Sequence, residues 1–182
     1  MAGAAGGRRG LGGRLEDSRI LLVISGGIAA YKVLEVVRRL KDRGAAIVTV
    51  MTEAATRFVT PMAVAALSNG PVHRDLWDLT REHEISHIRI ARDCDIVVVA
   101  PASADILARM AGGHADDLAT TILLATDRPV IVAPAMNPRM WAHPATVRNA
   151  ARLAADGVGF VGPAVGEMAE RDEAGRGRLV EP

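Results

Sequence analysis

The sequence predicts an α/β fold in which a parallel sheet is covered by helices on both faces. Apolar runs rich in branched residues are long enough to be buried strands, and segments with helical spacing separate them. Small or polar residues follow each main run, which is typical of the ligand-binding edge of such a sheet. With 182 residues, 49% of them hydrophobic, the chain is long enough for one domain with a full core.

The first apolar run, residues 20–24, leads into the turn Ser25-Gly26-Gly27, and helical spacing begins at Ile28. Glycines let the backbone approach a ligand closely, and a helix start offers unpaired N–H groups to an anion. A phosphate is therefore the expected guest, although the glycine spacing matches neither the dinucleotide fingerprint nor a Walker loop. The alternative is a turn that only joins two packed elements.

The remaining elements follow in alternation. Strands are expected at residues 20–24, 46–51, 95–101, 129–134 and 158–161. Helices are expected at residues 28–43, 61–68, 84–92, 104–110, 116–126 and 144–156. Irregular segments are expected at residues 72–79, 135–141 and 162–182.

The carboxyl ends of parallel strands meet at one edge of a sheet, so the residues that follow them are expected to lie close together. These residues are the turn at Ser25, then Thr52, Ser103 and the segment 133–137. Thr52 and Ser103 are also suited to cap the helices that follow them. Several small or polar loops on one edge predict a single site for a phosphate-bearing ligand.

Residues His83-Glu-Ile-Ser-His87 match a zinc-protease pattern with two histidines four residues apart. A catalytic zinc needs a third protein ligand, and no downstream residue in a recognisable helix supplies one. The pattern also lies on a short connector into a buried strand. We therefore expect no metal site, and a solvated helix residue is the simpler interpretation of His83.

Composition excludes several functional classes. The formal net charge is only +1 and aromatic residues are 3%, so nucleic-acid binding is not expected. No apolar run reaches about 18 residues, so no membrane span is expected. Residues 1–18 contain Arg8, Arg9 and Arg14 without an apolar block, and are expected to be a disordered leader. The single cysteine, Cys94, fits a reducing cytoplasm.

Five motifs, in this order, resemble those of the flavin-dependent cysteine decarboxylases. Within that family, the resemblance is to the phosphopantothenoylcysteine decarboxylase domain of the bifunctional coenzyme A biosynthesis protein. It covers about residues 19–182. The motifs are Ser25-Gly-Gly-Ile-Ala-Ala-Tyr-Lys32, Ile85-Ser-His-Ile88, Ala100-Pro-Ala-Ser-Ala-Asp105, Ala115-Asp-Asp-Leu118 and Pro134-Ala-Met-Asn-Pro-Arg-Met-Trp141.

The resemblance implies a three-layer Rossmann-like or flavodoxin-like fold with a parallel sheet of five or six strands. It implies FMN bound at subunit contacts, and a homotrimer or a multiple of trimers. The cofactor-binding residues it implies are Ser25, Gly26, Gly27, Thr52, Ser103 and Ala104. The catalytic residues it implies are His87, beside the flavin, and Asn137, which would bind the substrate carboxylate with Met136.

The implied activity is FMN-dependent decarboxylation of 4′-phosphopantothenoylcysteine to 4′-phosphopantetheine. Residues 162–182 correspond to the family's substrate clamp, where Arg176 and Arg178 are expected to meet the anionic end of the substrate. One departure concerns the last step. The family has a cysteine in this clamp, for the closing reduction, and Glu170 and Arg171 stand in its place here.

Two other functions remain open for such a chain. One is a related flavoprotein that decarboxylates a cysteine-derived carboxylate only as far as the enethiol, and the other is a non-catalytic subunit with the flavin fold. A flavin prenyltransferase is disfavoured because His87 and residues 134–137 match the decarboxylases. In bifunctional relatives a ligase domain follows, so a C-terminal ligase domain outside this chain is an expected partner.

Overall fold

The computed structural model describes residues 15–76, 86–167 and 174–182, without the side chains of residues 86 and 87. The strands in these ranges are β1 (Arg19–Ile24), β2 (Ala46–Met51), β3 (Val72–His73), β4 (Ile96–Ala102), β5 (Val130–Pro134), β6 (Gly159–Phe160), β7 (Ala164–Glu167) and β8 (Ala174–Arg178). The α-helices are α1 (Val33–Asp42), α2 (Pro61–Ser68), α3 (Ser86–Arg92), α4 (Ala104–Gly112), α5 (Leu118–Ala125), α6 (Pro138–Ala142) and α7 (Pro144–Ala155).

Six strands form one parallel sheet in the order β3-β2-β1-β4-β5-β6. The chain builds one half outward from β1 to β3 and then crosses over to start the other half at β4. β1 and β4 are neighbours, with Ile20 opposite Ile96 and Val23 opposite Val99. The direction of winding reverses between these two strands, which leaves a crevice beyond their carboxyl ends. The predicted parallel α/β sheet is confirmed, with six strands.

Strand β1 shows why the fold has three layers. Its residues from 20 to 24 are all buried, but alternate side chains point to opposite faces of the sheet. Leu21 and Val23 pack with helices α3, α4, α5 and α7 on one face. Leu22 and Ile24 pack with helices α1 and α2 on the other face. A strand covered on both sides needs a continuous apolar run, which is what the sequence has.

The helix expected from Ile28 begins differently. Residues Ile28–Lys32 form a 3₁₀ helix, in which the Ala30 N–H donates to the Gly27 carbonyl at 2.9 Å, and α1 begins only at Val33. Such tight turns are common at the start of α-helices. This one buries Ala30 completely and leaves Ile28 and Tyr31 exposed.

Two segments expected to be irregular contain regular structure. Residues Val72–His73 form the short edge strand β3 and pair with Thr49 and Val50 of β2. The expected exit loop at 135–141 contains helix α6, whose cap is Asn137 and whose first residue is Pro138. Asparagine followed by proline is a recognised helix start, so the sequence carried this signal.

The C-terminal segment is not the long loop that the sequence predicts. Strands β7 and β8 form an antiparallel hairpin, with Glu167 opposite Ala174 and Gly166 opposite Gly175. The strand β8 reads Ala-Gly-Arg-Gly-Arg, so its two glycines leave one face of the strand without side chains. Without apolar side chains on one face, the period-two pattern that reveals a strand cannot be seen.

The expectation of a disordered leader over residues 1–18 is wrong for residues 15–18, and residues 1–14 lie outside the described residues. Residues 15–18 turn back against the end of α1, where the Leu15 N–H donates to the Arg43 carbonyl at 2.7 Å. Gly44 ends this helix region with a φ of 91°, as the sequence predicts. Across the described ranges, no helix has both the length and the apolar character needed to cross a bilayer.

Candidate functional site

A cavity of about 720 Å³ lies at the carboxyl edge of the sheet, in the crevice between the two halves. Its walls come from four places far apart in the sequence. These are the glycine turn with the following 3₁₀ helix, the start of α4, the segment before and into α6, and the β7–β8 hairpin, which contributes Glu167. The parallel sheet brings the first three together because their strands end at the same edge.

The glycine turn forms one wall and needs small residues for two different reasons. Gly26 packs against the loop after β2, where an added Cβ would lie 2.5 Å from the Cβ of Ala54. Gly27 faces open space, because a Cβ there would meet no atom within 4 Å. The turn therefore places bare backbone on the cavity wall, as a close-fitting ligand requires.

Ser25 does not line this cavity. It is 1% exposed, its Oγ donates to the Pro101 carbonyl at 2.6 Å and accepts from the Ser103 N–H at 3.0 Å. The hydroxyl thus ties the end of β1 to the end of β4 across the crevice. In this arrangement Ser25 shapes the wall from behind it.

Of the other residues implied as cofactor contacts, two lie on the cavity and one does not. Ser103 and Ala104 line it at the start of α4, where the Ser103 Oγ caps the helix by accepting from the Ile106 N–H at 3.2 Å. Thr52 follows the neighbouring strand, and its Oγ1 accepts from the Ala55 N–H at 3.2 Å. It is absent from the cavity lining because its hydroxyl caps the turn after β2.

Met136 and Asn137 line the opposite wall and are held there by β8. The Met136 N–H donates to the Gly177 carbonyl at 2.9 Å. A Cβ on Gly177 would collide with the Met136 carbonyl oxygen and lie 3.3 Å from the Pro138 nitrogen. Only a glycine allows β8 to approach residues 136–138 so closely. Gly177 therefore sets how tightly the hairpin packs against this part of the cavity wall.

The Asn137 side chain caps α6, with its Oδ1 accepting from the Arg139 N–H at 2.8 Å. This contact orients the carboxamide at the cavity wall. An amide NH₂ can donate to a carboxylate oxygen without neutralising it.

Cationic groups lie at the rim between the 3₁₀ helix and β8. Lys32 and Arg178 both line the cavity, and both donate to Oε1 of Glu181 at 2.7 Å. Hydrogen bonds from Lys32 and then from Arg178 hold the pKa of the Glu181 carboxyl below its usual range. Arg176, the other arginine expected here, is exposed and lies nearer the tip of the hairpin, outside the cavity lining.

Two expectations fall partly or wholly outside the described residues. His87 belongs to the first turn of α3, but its side chain is not described. His83, Glu170 and Arg171 lie outside the described residues.

Cys94 is the single cysteine and lies just before β4, at the opposite edge of the sheet from the cavity. It is buried, and its Sγ contacts the Ala91 carbonyl at 3.3 Å. Burial raises the pKa of this thiol, so it stays protonated at neutral pH. It therefore cannot replace a cysteine in the substrate clamp.

Sequence reasoning missed the site residues Lys32, Tyr31 and Glu181. Lys32 and Tyr31 belong to the motif that begins at Ser25, and their position directly after the glycine turn was a usable signal. No local signal marks Glu181, because its contact with Lys32 joins residues 149 positions apart.

Comparison with known proteins agrees with this geometry. The family model described as Flavoprotein matches residues 11–182. The bifunctional coenzyme A biosynthesis protein CoaBC of Vibrio vulnificus is 49% identical over 92% of the chain, and that of Escherichia coli is 47% identical over 92%. The chain spans about two fifths of the length of these relatives, 42% and 41% respectively.

Solved structures with the same fold include the FMN-dependent cysteine decarboxylase SpaF. It has a TM-score of 0.78 and 31% identity over 90% of this chain and 91% of that one. A PPC decarboxylase variant in complex with pantothenoylaminoethenethiol has the same TM-score, identity and coverage. The family match covers nearly the whole chain, and the solved structures share its architecture. By sequence and by fold, this chain belongs to the Flavoprotein family.

Proposed function

We propose that this protein is a carboxy-lyase that carries out FMN-dependent decarboxylation of 4′-phosphopantothenoylcysteine to 4′-phosphopantetheine. It would act in the cytoplasm, in coenzyme A biosynthesis. The observation that carries the proposal is one cavity lined by the glycine turn, Ser103 and Asn137. Similarity to CoaBC over 92% of the chain and to a PPC decarboxylase structure supports the choice of substrate.

The residues at the cavity suit FMN. Gly27 leaves open space on the wall, where a phosphate can approach the backbone. Exposed apolar side chains, Ile28 and Met140, line the same cavity and offer contact to a flat ring. The cavity contains one glycine turn of this kind among the described residues, which suits one phosphate and not the two of FAD. When bound, FMN supplies a two-electron acceptor for the C–S unit of the substrate, so that the electrons left by carbon dioxide have a place to go.

The chain's own residues would bind the substrate and manage protons. Asn137 would hold the substrate carboxylate through its NH₂ until carbon dioxide leaves. Loss of that negative charge would weaken the contact and favour release. His87 would take or give a proton, because an imidazole is the side chain best suited to acid–base work at physiological pH.

Two measurements test this proposal. The purified protein should be yellow, and the released chromophore should be FMN; release of FAD would contradict the assignment. Incubation with 4′-phosphopantothenoylcysteine, followed by mass spectrometry, should show loss of carbon dioxide. A yellow protein that leaves this substrate intact would overturn the proposed activity while retaining the family.

One observation favours a second candidate, in which the reaction stops at the enethiol. Glu170 and Arg171 stand where the family's clamp cysteine is expected, and Cys94 is buried at the other edge of the sheet. The two outcomes differ by two hydrogens, because the closing reduction converts the enethiol to a thiol. The mass of the product therefore distinguishes full turnover from an arrested reaction.

We also propose an assembly for this protein. A homotrimer, or a multiple of trimers, would supply a second wall for a flavin that lies beyond the sheet edge. Tyr31, at the cavity rim, is 58% exposed, which is a large apolar surface to leave in water. The bifunctional relatives further suggest that a ligase domain acts together with this one.

A further inference from the structure

The rim of the cavity contains an ionic contact among three residues that have no role in the reaction proposed above. Lys32 Nζ and Arg178 Nη2 each lie 2.7 Å from the same carboxylate oxygen, Oε1 of Glu181. The two cations come from two different elements of the cavity lining, the 3₁₀ helix after β1 and the end of β8. A single carboxylate thus connects two walls of the site.

The position of the three groups separates their roles. Lys32 and Arg178 belong to the cavity lining, whereas Glu181 does not. Lys32 is only 12% exposed along its side chain, but Glu181 is 67% exposed. The carboxylate therefore contacts the cations from the solvent side and leaves the cavity side of both cations accessible to a ligand.

Without Glu181 the two cations would not stay in this arrangement. Both donors converge on one oxygen, so two like charges are held as close neighbours, where they repel each other. Lysine and arginine also have long side chains that lose about 2 kcal/mol of rotamer entropy when they are fixed. The Glu181 carboxylate offsets the repulsion between the two cations and fixes their side chains before a ligand binds, so it preorganises the pair.

We propose that Glu181 is a positioning residue that holds Lys32 and Arg178 as a paired binding site for the phosphate of the substrate. This inference rests on the proposed function, because that substrate carries a phosphate group. The charged residues of the cavity lining are Lys32, Arg178 and Glu167, with a formal sum of +1, and Glu181 contacts the two cations from outside the lining. Arginine can pair with two phosphate oxygens while lysine meets a third.

The effect of Glu181 should be confined to phosphorylated ligands. Glu181→Gln keeps the shape and one acceptor oxygen but removes the charge, and Glu181→Ala removes both. In the alanine variant, the KM for 4′-phosphopantothenoylcysteine should rise about tenfold, the size of one lost charge-assisted hydrogen bond, with kcat within about twofold of the wild type. The KM of the glutamine variant for this substrate should lie between those of the wild type and the alanine variant. The KM for pantothenoylcysteine, which lacks the phosphate, should not change.

Equilibrium binding gives a readout that does not depend on turnover. Titration calorimetry should show weaker binding of 4′-phosphopantetheine, by about the same factor, and unchanged binding of pantetheine. Asp156→Asn is the control, because Asp156 also accepts from an arginine, Arg152 at 2.8 Å, but lies at the end of α7 and outside the cavity lining. It should leave both ligands unaffected.

The outcomes separate the inference from the activity on which it rests. A wild-type protein that turns over the substrate, with Glu181 variants that affect both ligands equally or neither, overturns the positioning role alone. A flavin-loaded wild type that neither binds nor turns over the phosphorylated substrate overturns the proposed function, and this inference with it. Melting temperatures should remain close to the wild type, since Glu181 is exposed; a large fall would mean that Glu181 is structural.

Discussion

At the scale of single residues, Ser25 has a structural role that its position directly before two glycines does not indicate. Its buried hydroxyl both donates and accepts, and it joins the ends of β1 and β4. The sequence suggests a ligand contact, whereas the structure places this hydroxyl behind the residues that line the cavity. The crevice wall therefore depends on an internal hydrogen-bonded contact.

This arrangement makes a stability prediction. Ser25→Ala removes the donor to the buried Pro101 carbonyl and the acceptor of the half-buried Ser103 N–H, so the free energy of unfolding should fall by about 1–3 kcal/mol. Ser68→Ala is the control, because Ser68 is also buried but makes only long contacts, of 3.4 and 3.5 Å, with nearby carbonyls. Urea denaturation of both variants checks this; equal losses would mean that the contact across the crevice is not special.

A second residue-scale prediction concerns His87. If it manages protons during catalysis, His87→Asn should retain FMN and lose turnover, because the imidazole does not hold the phosphate. The flavin absorbance of the purified variant and its rate of carbon dioxide release are the two measurements. A variant purified without flavin would instead give His87 a structural role.

At the scale of elements, the β7–β8 hairpin is the part of the site that depends most on backbone approach. Gly177 lies against the Met136 carbonyl, and the hydrogen bond from the Met136 N–H joins the two segments. A side chain there cannot be accommodated by a rotamer change, because the obstacle is backbone. The hairpin is thus attached to the sheet edge at a point that also shapes the cavity.

Gly177→Ala should therefore displace the hairpin and lower kcat/KM by about tenfold or more, with a smaller effect on the global melting temperature. Gly159→Ala on β6 is the control, since a Cβ there would lie 3.4 Å from the Ile131 side chain and 3.6 Å from the Val130 carbonyl, which are ordinary contacts outside the cavity lining. Limited proteolysis should cut the Gly177 variant faster within the hairpin. Equal proteolysis and kinetics in both variants would show that the close approach is not required.

At the scale of the whole molecule, the cavity is open on a side with exposed apolar groups. Ile28, Tyr31 and Met140 lie on its lining and are each about half exposed or more. A second subunit that covered them would bury this surface and exclude water from the site. This agrees with the assembly proposed above.

We therefore expect light scattering to give about three times the 19.2 kDa chain mass, or a multiple of it, for the flavin-loaded protein. Tyr31→Ser should shift the population toward monomer and release flavin, because the same surface would serve both. The exposed Val147 on α7 lies outside the cavity lining, so Val147→Ser is the control. A monomer that holds flavin tightly would contradict the proposed assembly.

Local patterns were sufficient for much of the fold. The central strands were predicted within one or two residues, because a strand buried on both faces requires an uninterrupted apolar run. The α2 boundaries and the Ser103 cap were also confirmed, since proline and serine signals act within one helical turn. The order of the motifs was enough to indicate the family that the comparisons confirm.

Tertiary structure decided what depends on contacts distant in sequence. The hairpin forms although β8 has no apolar alternation, because it packs on α6 and pairs with β7. Thr52 follows a strand that ends at the same edge of the sheet, yet its hydroxyl caps the next turn and the residue is not part of the cavity lining. The contact of Lys32 with Glu181 spans 149 positions, so no local pattern could reveal it. The sequence by itself determined the parallel sheet and the small, polar loops at its carboxyl edge, because apolar runs and helix caps are local patterns. Which residues line the cavity, and which of them are charged, was decided by the tertiary structure, because those residues meet only in the folded chain.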